Sequence, residues 1–199
     1  MHMYRKVKRL FDVTLSLMLL PLVVLVSAAA GLLIILEDGF PIFYNAPRRG
    51  EKGSVFSMYK LRSMKNASPD LRNEDGSTFN GDNDPRVTSI GKKLRKYSID
   101  ELPQIFNVLK GDMSFVGPRP SLVSKPYEEL NRWQKMRLEM QPGITGFNQA
   151  YFRNAVSAEK KIRNDCWYVK HACLRLDINI LVVTFVNVFK QKNVFQSNK

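Results

Sequence analysis

The residues best suited to chemistry lie in the stretch SIDELPQ at 98–104, where Asp100 and Glu101 are adjacent carboxylates. A structural reading makes Ser98 a helix N-cap and Glu101 the partner that completes a capping box. Pro103 argues against that register, because it would stand at the fifth helical position, where an amide N–H is needed. With Asp100 as the N-cap, Pro103 falls in the first turn, where its missing N–H loses no helical hydrogen bond. Asp100 then lies at a positive helix end, which favours its ionised form and a nearby anionic ligand.

Two adjacent carboxylates repel each other unless a cation lies between them. Mg2+ prefers hard oxygen ligands and commonly accompanies phosphate substrates. The pair Asp100 and Glu101 therefore indicates a magnesium site for a phosphorylated substrate. The structural alternative is a plain N-cap aspartate beside a solvated glutamate.

A second candidate is Arg119, which stands between Pro118 and Pro120 in the stretch GDMSFVGPRP at 111–120. Proline on both sides stiffens the backbone and biases Arg119 towards an extended conformation. A guanidinium held in that way is positioned for bidentate contact with a phosphate. The alternative is a rigid surface turn, and PGITG at 142–146 predicts a further turn.

The charge of the chain points to an anionic partner. Its 199 residues carry 31 Lys and Arg against 18 Asp and Glu, a formal net charge of +13. Nucleic acid, lipid headgroups and phosphorylated substrates all fit this charge. With only His2 and His171 available, a multi-histidine metal site is not expected. Cys166 and Cys173 are too widely spaced for a CxxC pair and are read as free thiols.

The elements that must position these residues begin with an apolar run at 10–36, whose only charged residue is Asp12. Its 27 residues would form a helix of about 40 Å, longer than a bilayer core of about 30 Å requires. A cleaved signal peptide and a straight transmembrane helix are two readings. Basic residues flank the run on both sides, and cationic flanks stay in the cytoplasm. Together with a bend at Pro21, they favour a re-entrant helix.

The rest of the chain is read as short strands and helices. Extended segments are predicted at 42–44 and 55–59, a polar loop at 65–88, and helices at 90–97, 102–109, 127–140, 158–174 and 177–189. The last helix either packs in the core or lies in the membrane interface, with Phe185 and Phe189 inserted. The same two alternatives apply to Trp133.

The motifs in their order resemble those of the bacterial sugar transferase family, the monotopic phosphoglycosyl transferases. The resemblance is carried by DELPQ at 100–104, LKGDMS at 109–114, GPRP at 117–120 and PGITG at 142–146. It implies an α+β fold with a basic N-terminus and re-entrant membrane helix at 1–39. A small, mostly helical catalytic domain with interfacial helices follows at 40–199, on the cytoplasmic face of the bacterial inner membrane.

The resemblance also implies a two-step reaction. Asp100 attacks the sugar-bearing phosphate of a UDP-sugar, UMP leaves, and polyprenyl (undecaprenyl) phosphate attacks the phosphosugar–aspartyl intermediate. Glu101 and Asp100 hold Mg2+, with Mn2+ as an alternative, and Arg119 contacts phosphate. By position, Lys60, Arg95 and Asp165 match further polar residues of the family's active site, where they are expected to bind substrate.

The implied partners are membrane lipids and the downstream glycosyltransferases of glycoconjugate assembly (O-antigen, capsule, exopolysaccharide or glycoprotein glycan), with no nucleic acid. One feature departs from the family, whose membrane helix often breaks at a Ser-Pro pair near its middle. Here the proline of the run is Pro21, preceded by Leu20 and nearer the N-terminus. The competing hypothesis is a membrane-tethered basic module that binds nucleic acid, which leaves the Asp100-Glu101 pair without a role.

Overall fold

The computed structural model describes residues 2–69, 71, 84–152 and 156–189 and has a mixed helix and sheet architecture. Most of the predicted polar loop at 65–88 lies outside the described residues. The helices are α1 His2–Asp38, α2 Ser89–Lys96, α3 Gln104–Lys110, α4 Arg132–Arg137, α5 Phe147–Tyr151, α6 Ala158–His171 and α7 Leu174–Phe189. The strands are β1 Phe43–Arg49, β2 Val55–Leu61, β3 Ser114–Val116, β4 Ser121–Leu122 and β5 Gly143–Thr145.

Two small sheets organise the domain after α1. Strand β1 is the centre of an antiparallel sheet in the order β2-β1-β4, and it pairs with β2 from Phe43 opposite Leu61 to Arg49 opposite Val55. Strands β3 and β5 form a parallel pair in which Ser114 is opposite Gly143. Helices α5, α6 and α7 pack beside this pair around a core that includes Tyr168 and Ile180.

Helix α1 is long and apolar enough to cross a membrane by its length and composition. It is helical from end to end, with Pro21 inside it, and most of its apolar side chains are exposed. The polar residues Lys8, Asp12 and Ser16 follow one another at intervals of four and are buried, so they form one face against the domain.

Both ends of α1 are attached to the same domain. Near its start, Lys8 Nζ lies 2.7 Å from Asp177 Oδ2 on α7, and Asp12 Oδ1 accepts a hydrogen bond of 3.1 Å from the amide of Phe115. At its other end, the carboxylate of Glu37 accepts from the first two amides of α2, and Asp38 pairs with Arg62 at 2.6 Å. The domain is therefore in contact with α1 near both of its ends.

The predicted helices and extended segments agree with the structure in type but not always in length. The helix predicted at 127–140 is wrong in extent, since α4 has six residues. Its start is fixed by a capping box in which Asn131 accepts from the amide of Gln134 and Gln134 accepts from that of Asn131. The predicted helix at 177–189 begins earlier, at Leu174. One side of α7 packs in the core around Ile180, while Ile178, Val182 and Phe185 are exposed.

Candidate active site

Strand β2 brings Lys60 to the two adjacent carboxylates. The Lys60 ammonium lies 2.6 Å from Glu101 Oε1 and 3.8 Å from Asp100 Oδ2. Asp100 is 6% exposed, whereas the side chains of Glu101 and Lys60 are partly open to solvent. The structure thus brings together three residues that were singled out from the sequence, with a cation beside both carboxylates.

A short 3-10 turn at Ile99–Glu101 holds Asp100 in place. Ser98 before it adopts a left-handed backbone with φ of 57°, which reverses the chain after α2. Helix α3 begins at Gln104 with Pro103 as its N-cap, so the prediction that Asp100 is the N-cap is wrong. The side chain of Ser98 makes no capping hydrogen bond, which also excludes the capping box. The 3-10 turn itself supplies the first helical turn ahead of Pro103, and Asp100 lies inside it.

The two carboxylates have opposite pKa shifts. Burial raises the pKa of Asp100; the Lys60 ammonium opposes this shift and the Glu101 carboxylate adds to it. Burial also acts to raise the pKa of Glu101, but the charges of Lys60 and Arg119 outweigh it, and the pKa is lowered. Asp100 is therefore the more readily protonated of the two carboxylates.

Arg95 lies in the last turn of α2 and faces the same site. Its Nε donates a hydrogen bond of 2.9 Å to Ser63 Oγ. Burial lowers the pKa of the Arg95 guanidinium, and the carboxylates of Asp100 and Asp84 oppose this shift. Arg95 therefore contributes a second positive charge close to Asp100, in addition to Lys60.

Arg119 supplies an exposed cation next to the carboxylate pair. It is close enough to Glu101 to lower the pKa of that carboxyl group. Within the described part of the chain, the Arg119 guanidinium has no hydrogen-bond or ion-pair partner; only its backbone carbonyl is bonded. An exposed guanidinium without a partner is suited to bind a phosphate that arrives from solution.

The chain matches the family model "Bacterial sugar transferase" over residues 3–191. The chain belongs to the bacterial sugar transferase family. The resemblance found in the motifs is thereby confirmed. The chain is also 41% identical over 192 residues to "Uncharacterized sugar transferase EpsL" of Bacillus subtilis, an alignment that covers 96% of this chain and 91% of that protein.

Several relatives of this sugar transferase carry names that state an activity, among them one from Salmonella typhimurium and one from Xanthomonas campestris pv. campestris. It is 40% identical over 207 residues to the undecaprenyl-phosphate galactose phosphotransferase of Salmonella typhimurium, covering 96% of this chain and 42% of that protein. It is 40% identical over 164 residues to the UDP-glucose:undecaprenyl-phosphate glucose-1-phosphate transferase of Xanthomonas campestris pv. campestris, covering 78% of this chain and 33% of that protein. This chain thus spans less than half the length of either relative.

Asp165 of the sugar transferase lies behind the site, on α6. It is 1% exposed, and its two oxygens accept hydrogen bonds from Arg137 Nη2 at 2.5 Å and Asn148 Nδ2 at 2.7 Å. Burial raises the pKa of Asp165, and the Arg137 guanidinium opposes this shift. The sequence did not indicate a role for Arg137, because it is one of several basic residues on its helix and nothing in the sequence shows which carboxylate it contacts.

Glycines bring the Arg119 loop against strand β5. A Cβ on Gly143 would collide with the backbone of Gly117 and Thr145, and one on Gly146 would collide with the carbonyl of Gly117. The turn predicted for PGITG is wrong, because Gly143–Thr145 form strand β5, and its glycines act through close backbone approach. The approach lets the amide of Gly117 donate to Thr145 O at 2.9 Å.

This packing gives a prediction for stability. Gly143→Ala should destabilise the sugar transferase by about 3 kcal/mol, because backbone atoms on both sides must move to admit the methyl group. The matched control is Gly111→Ala. Its Cβ would approach atoms no closer than 3.7 Å, so the main cost is its φ of 93°, about 1 kcal/mol. Thermal unfolding of both variants checks the prediction, which fails if Gly143→Ala melts no lower than Gly111→Ala.

Proposed function

We propose that this sugar transferase moves a sugar 1-phosphate from a UDP-sugar to polyprenyl phosphate and releases UMP. The observation that carries the proposal is the buried carboxylate of Asp100, adjacent to Glu101 and paired with the Lys60 ammonium. Relatives support the substrates, because their names give UDP-glucose as a donor and undecaprenyl phosphate as an acceptor. The reaction begins the assembly of a glycoconjugate on its lipid carrier.

The chemistry is two successive displacements at the sugar-bearing phosphorus. An Asp100 carboxylate oxygen forms a bond to this phosphorus, and the bond to the UMP oxygen breaks, so UMP leaves with that electron pair. A phosphate oxygen of the polyprenyl carrier then attacks the same phosphorus and releases Asp100 as a free carboxylate. The bond between the sugar and its phosphate is never broken, so the anomeric configuration is kept.

The surrounding charges fit this chemistry. A diphosphate that approaches Asp100 and Glu101 brings anionic oxygens towards two carboxylates, which is unfavourable without cations. Lys60 lies beside both carboxylates, Arg95 is close to Asp100, and Arg119 offers an exposed guanidinium. The Lys60 ammonium offsets the negative charge of the carboxylates, while Arg95 and Arg119 bind the phosphate oxygens and orient the phosphorus towards Asp100.

We also propose that Asp100 and Glu101 hold a divalent cation. The proposal is supported by the Lys60 ammonium, which lies beside one oxygen of each carboxylate and offsets their charge. Nowhere in the described ranges do three or more His, Cys, Asp or Glu side chains come together as a metal site. The two carboxylates would therefore share Mg2+, or Mn2+, with substrate and water oxygens, as is usual for Mg2+. When bound, the cation offsets the negative charge of the diphosphate.

The attachment of α1 supports a re-entrant helix. A straight helix through a bilayer core of about 30 Å has its ends on opposite sides, where one domain cannot contact both. Here Lys8 and Asp12 near one end and Glu37 and Asp38 near the other contact the same domain. The helix therefore enters the cytoplasmic face of the inner membrane, bends near Pro21 and returns to that face.

Labelling of single cysteines tests this topology. In a chain without Cys166 and Cys173, cysteines are introduced at Met3 and at Ser54. Ser54 is chosen rather than its neighbour Gly53, because a Cβ on Gly53 would meet the ring of Tyr127. Neither cysteine should react with an impermeant reagent in intact cells, and both should react after permeabilisation. If one is labelled from outside while the other is not, α1 spans the membrane and the proposal is wrong.

The exposed apolar surface suits a lipid acceptor. The middle of α1 and the side of α7 with Ile178, Val182 and Phe185 present apolar side chains to the surroundings. We place these faces in contact with membrane lipids, where the prenyl chain of the acceptor also resides. The product then remains in the membrane for the downstream glycosyltransferases.

A screen of UDP-sugars for UMP release tests the proposed function. Purified protein in detergent should release UMP from at least one UDP-sugar when polyprenyl phosphate is present, and radiolabel from the sugar should enter the lipid phase. The gel shift of random DNA, measured beside it, tests the competing hypothesis of a nucleic-acid-binding module. A DNA shift at physiological salt, with no UMP from any UDP-sugar, would overturn the proposal.

A further inference from the structure

The loop that carries Arg119 has few backbone groups that can form hydrogen bonds to keep it in place. Pro118 and Pro120 have no amide N–H, so neither can donate a hydrogen bond. Pro118 O accepts from the amide of Gly143 at 2.9 Å. Arg119 O accepts from Arg137 Nη2 at 2.8 Å. The position of Arg119 along the loop therefore depends on a side chain from α4.

The side chain of Arg137 is itself held by a carboxylate on α6. The nitrogen that donates to Arg119 O also donates to Asp165 Oδ2 at 2.5 Å. The other oxygen of Asp165 accepts from Asn148, whose own side-chain oxygen accepts from Asn164 at 2.9 Å. A continuous row of hydrogen bonds thus runs from α6 and α5 through Arg137 to the Arg119 carbonyl.

Stability alone does not account for this row. The side chains of Arg137 and Asp165 are 15% and 2% exposed, and burying an ion pair costs desolvation that its attraction only partly offsets. Arg137 Nε is buried without a hydrogen-bond partner in the described part of the chain, which adds to the cost. An apolar pair of similar volume would pack at lower cost, so the arrangement of this ion pair points to a role in orientation.

We infer that Arg137 is a positioning residue for Arg119, and that Asp165 acts through Arg137 rather than by contact with the sugar nucleotide. This inference rests on the proposed function, in which Arg119 binds a phosphate of the donor. It revises the expectation that Asp165 binds substrate directly, because both of its oxygens face residues of the protein. Loss of the pair should move Arg119 and weaken the alignment of the phosphate.

The test is a mutant cycle between the pair and Arg119. Arg137→Gln alone leaves Asp165 charged and buried, which risks unfolding, so the main variant combines Arg137→Gln with Asp165→Asn. This double variant should lower kcat/KM for the UDP-sugar by about tenfold or more. In an Arg119→Ala background, the same change should lower it less than about threefold, because Arg137 acts only through Arg119. The inference is overturned if the fold-losses in kcat/KM of the double variant and of Arg119→Ala multiply when they are combined. It is also overturned if the double variant is as active as wild type.

Two further measurements separate this inference from the proposed function. Arg163→Gln on α6 is the control, since Arg163 forms an exposed pair with Glu159 and takes no part in the row of hydrogen bonds, and its activity should be unchanged. Amide hydrogen exchange of the peptide at 114–122 should speed up in the double variant, while that of α3 should not. If wild type releases no UMP from any UDP-sugar, the proposed function fails. The hydrogen-exchange measurement then tests by itself whether Arg137 positions the Arg119 loop, and unchanged exchange at 114–122 would overturn this inference.

Discussion

Asp100→Asn is expected to lower UMP release by about 10⁴-fold or more, because the amide keeps the shape of the carboxylate but is a poor nucleophile. The fold should tolerate the change. Burial already disfavours the charged form of Asp100, and Lys60 keeps Glu101 as its partner at 2.6 Å. Initial rates at saturating UDP-sugar measure the loss, and thermal unfolding of the same preparation shows whether the fold is kept.

The matched control is Glu159→Gln, which also turns a carboxylate into an amide but on the exposed side of α6. Its rate should equal that of wild type. If Asp100→Asn retains a tenth or more of the wild-type rate and melts normally, Asp100 does not attack phosphorus. A loss of rate together with a collapse of the melting transition would instead assign Asp100 a structural role.

Glu101→Gln should have the second largest effect, a loss of about 10²-fold or more, mainly through weaker metal binding. Its lowered pKa keeps Glu101 ionised, and the amide removes this charge. The measurement is a Mg2+ titration of the rate, in which the variant should need a higher concentration for half of its maximal activity. Wild type should lose all activity in EDTA and regain it with Mg2+ or Mn2+. Full activity in chelator would remove the metal from the account.

The sequence predicted the carboxylates of the candidate active site better than the long-range contacts that hold them in place. Asp100 and Glu101 are adjacent in the chain, so their proximity follows from the sequence alone. Helix α2 was predicted to within one residue at each end, because its basic and apolar residues have helical spacing. Membership of the family was evident from motifs that are long and in order, and the family match over 3–191 confirms it.

Contacts between distant segments could not be read from the sequence. Lys60 and Glu101 are 41 positions apart, and only the family resemblance suggested that they share a site. Nothing in the sequence paired Arg137 with Asp165, because a long-range ion pair leaves no periodic pattern. The prediction that Asp100 is a helix N-cap was wrong for a related reason. The left-handed conformation of Ser98 depends on how α2 packs against the 3-10 turn at Ile99–Glu101, which local preferences do not determine.

The covalent step gives the most direct test of the account. Wild-type protein is mixed with UDP-sugar and Mg2+ without any lipid acceptor, and the protein is then analysed by intact mass spectrometry. We expect release of up to one equivalent of UMP and a gain of the mass of one phosphosugar, which hydroxylamine removes as it does from an acyl phosphate. Asp100→Asn should show neither change. If UMP forms only when the acceptor is present and no adduct is found under any condition, transfer is direct and the two-step account is contradicted.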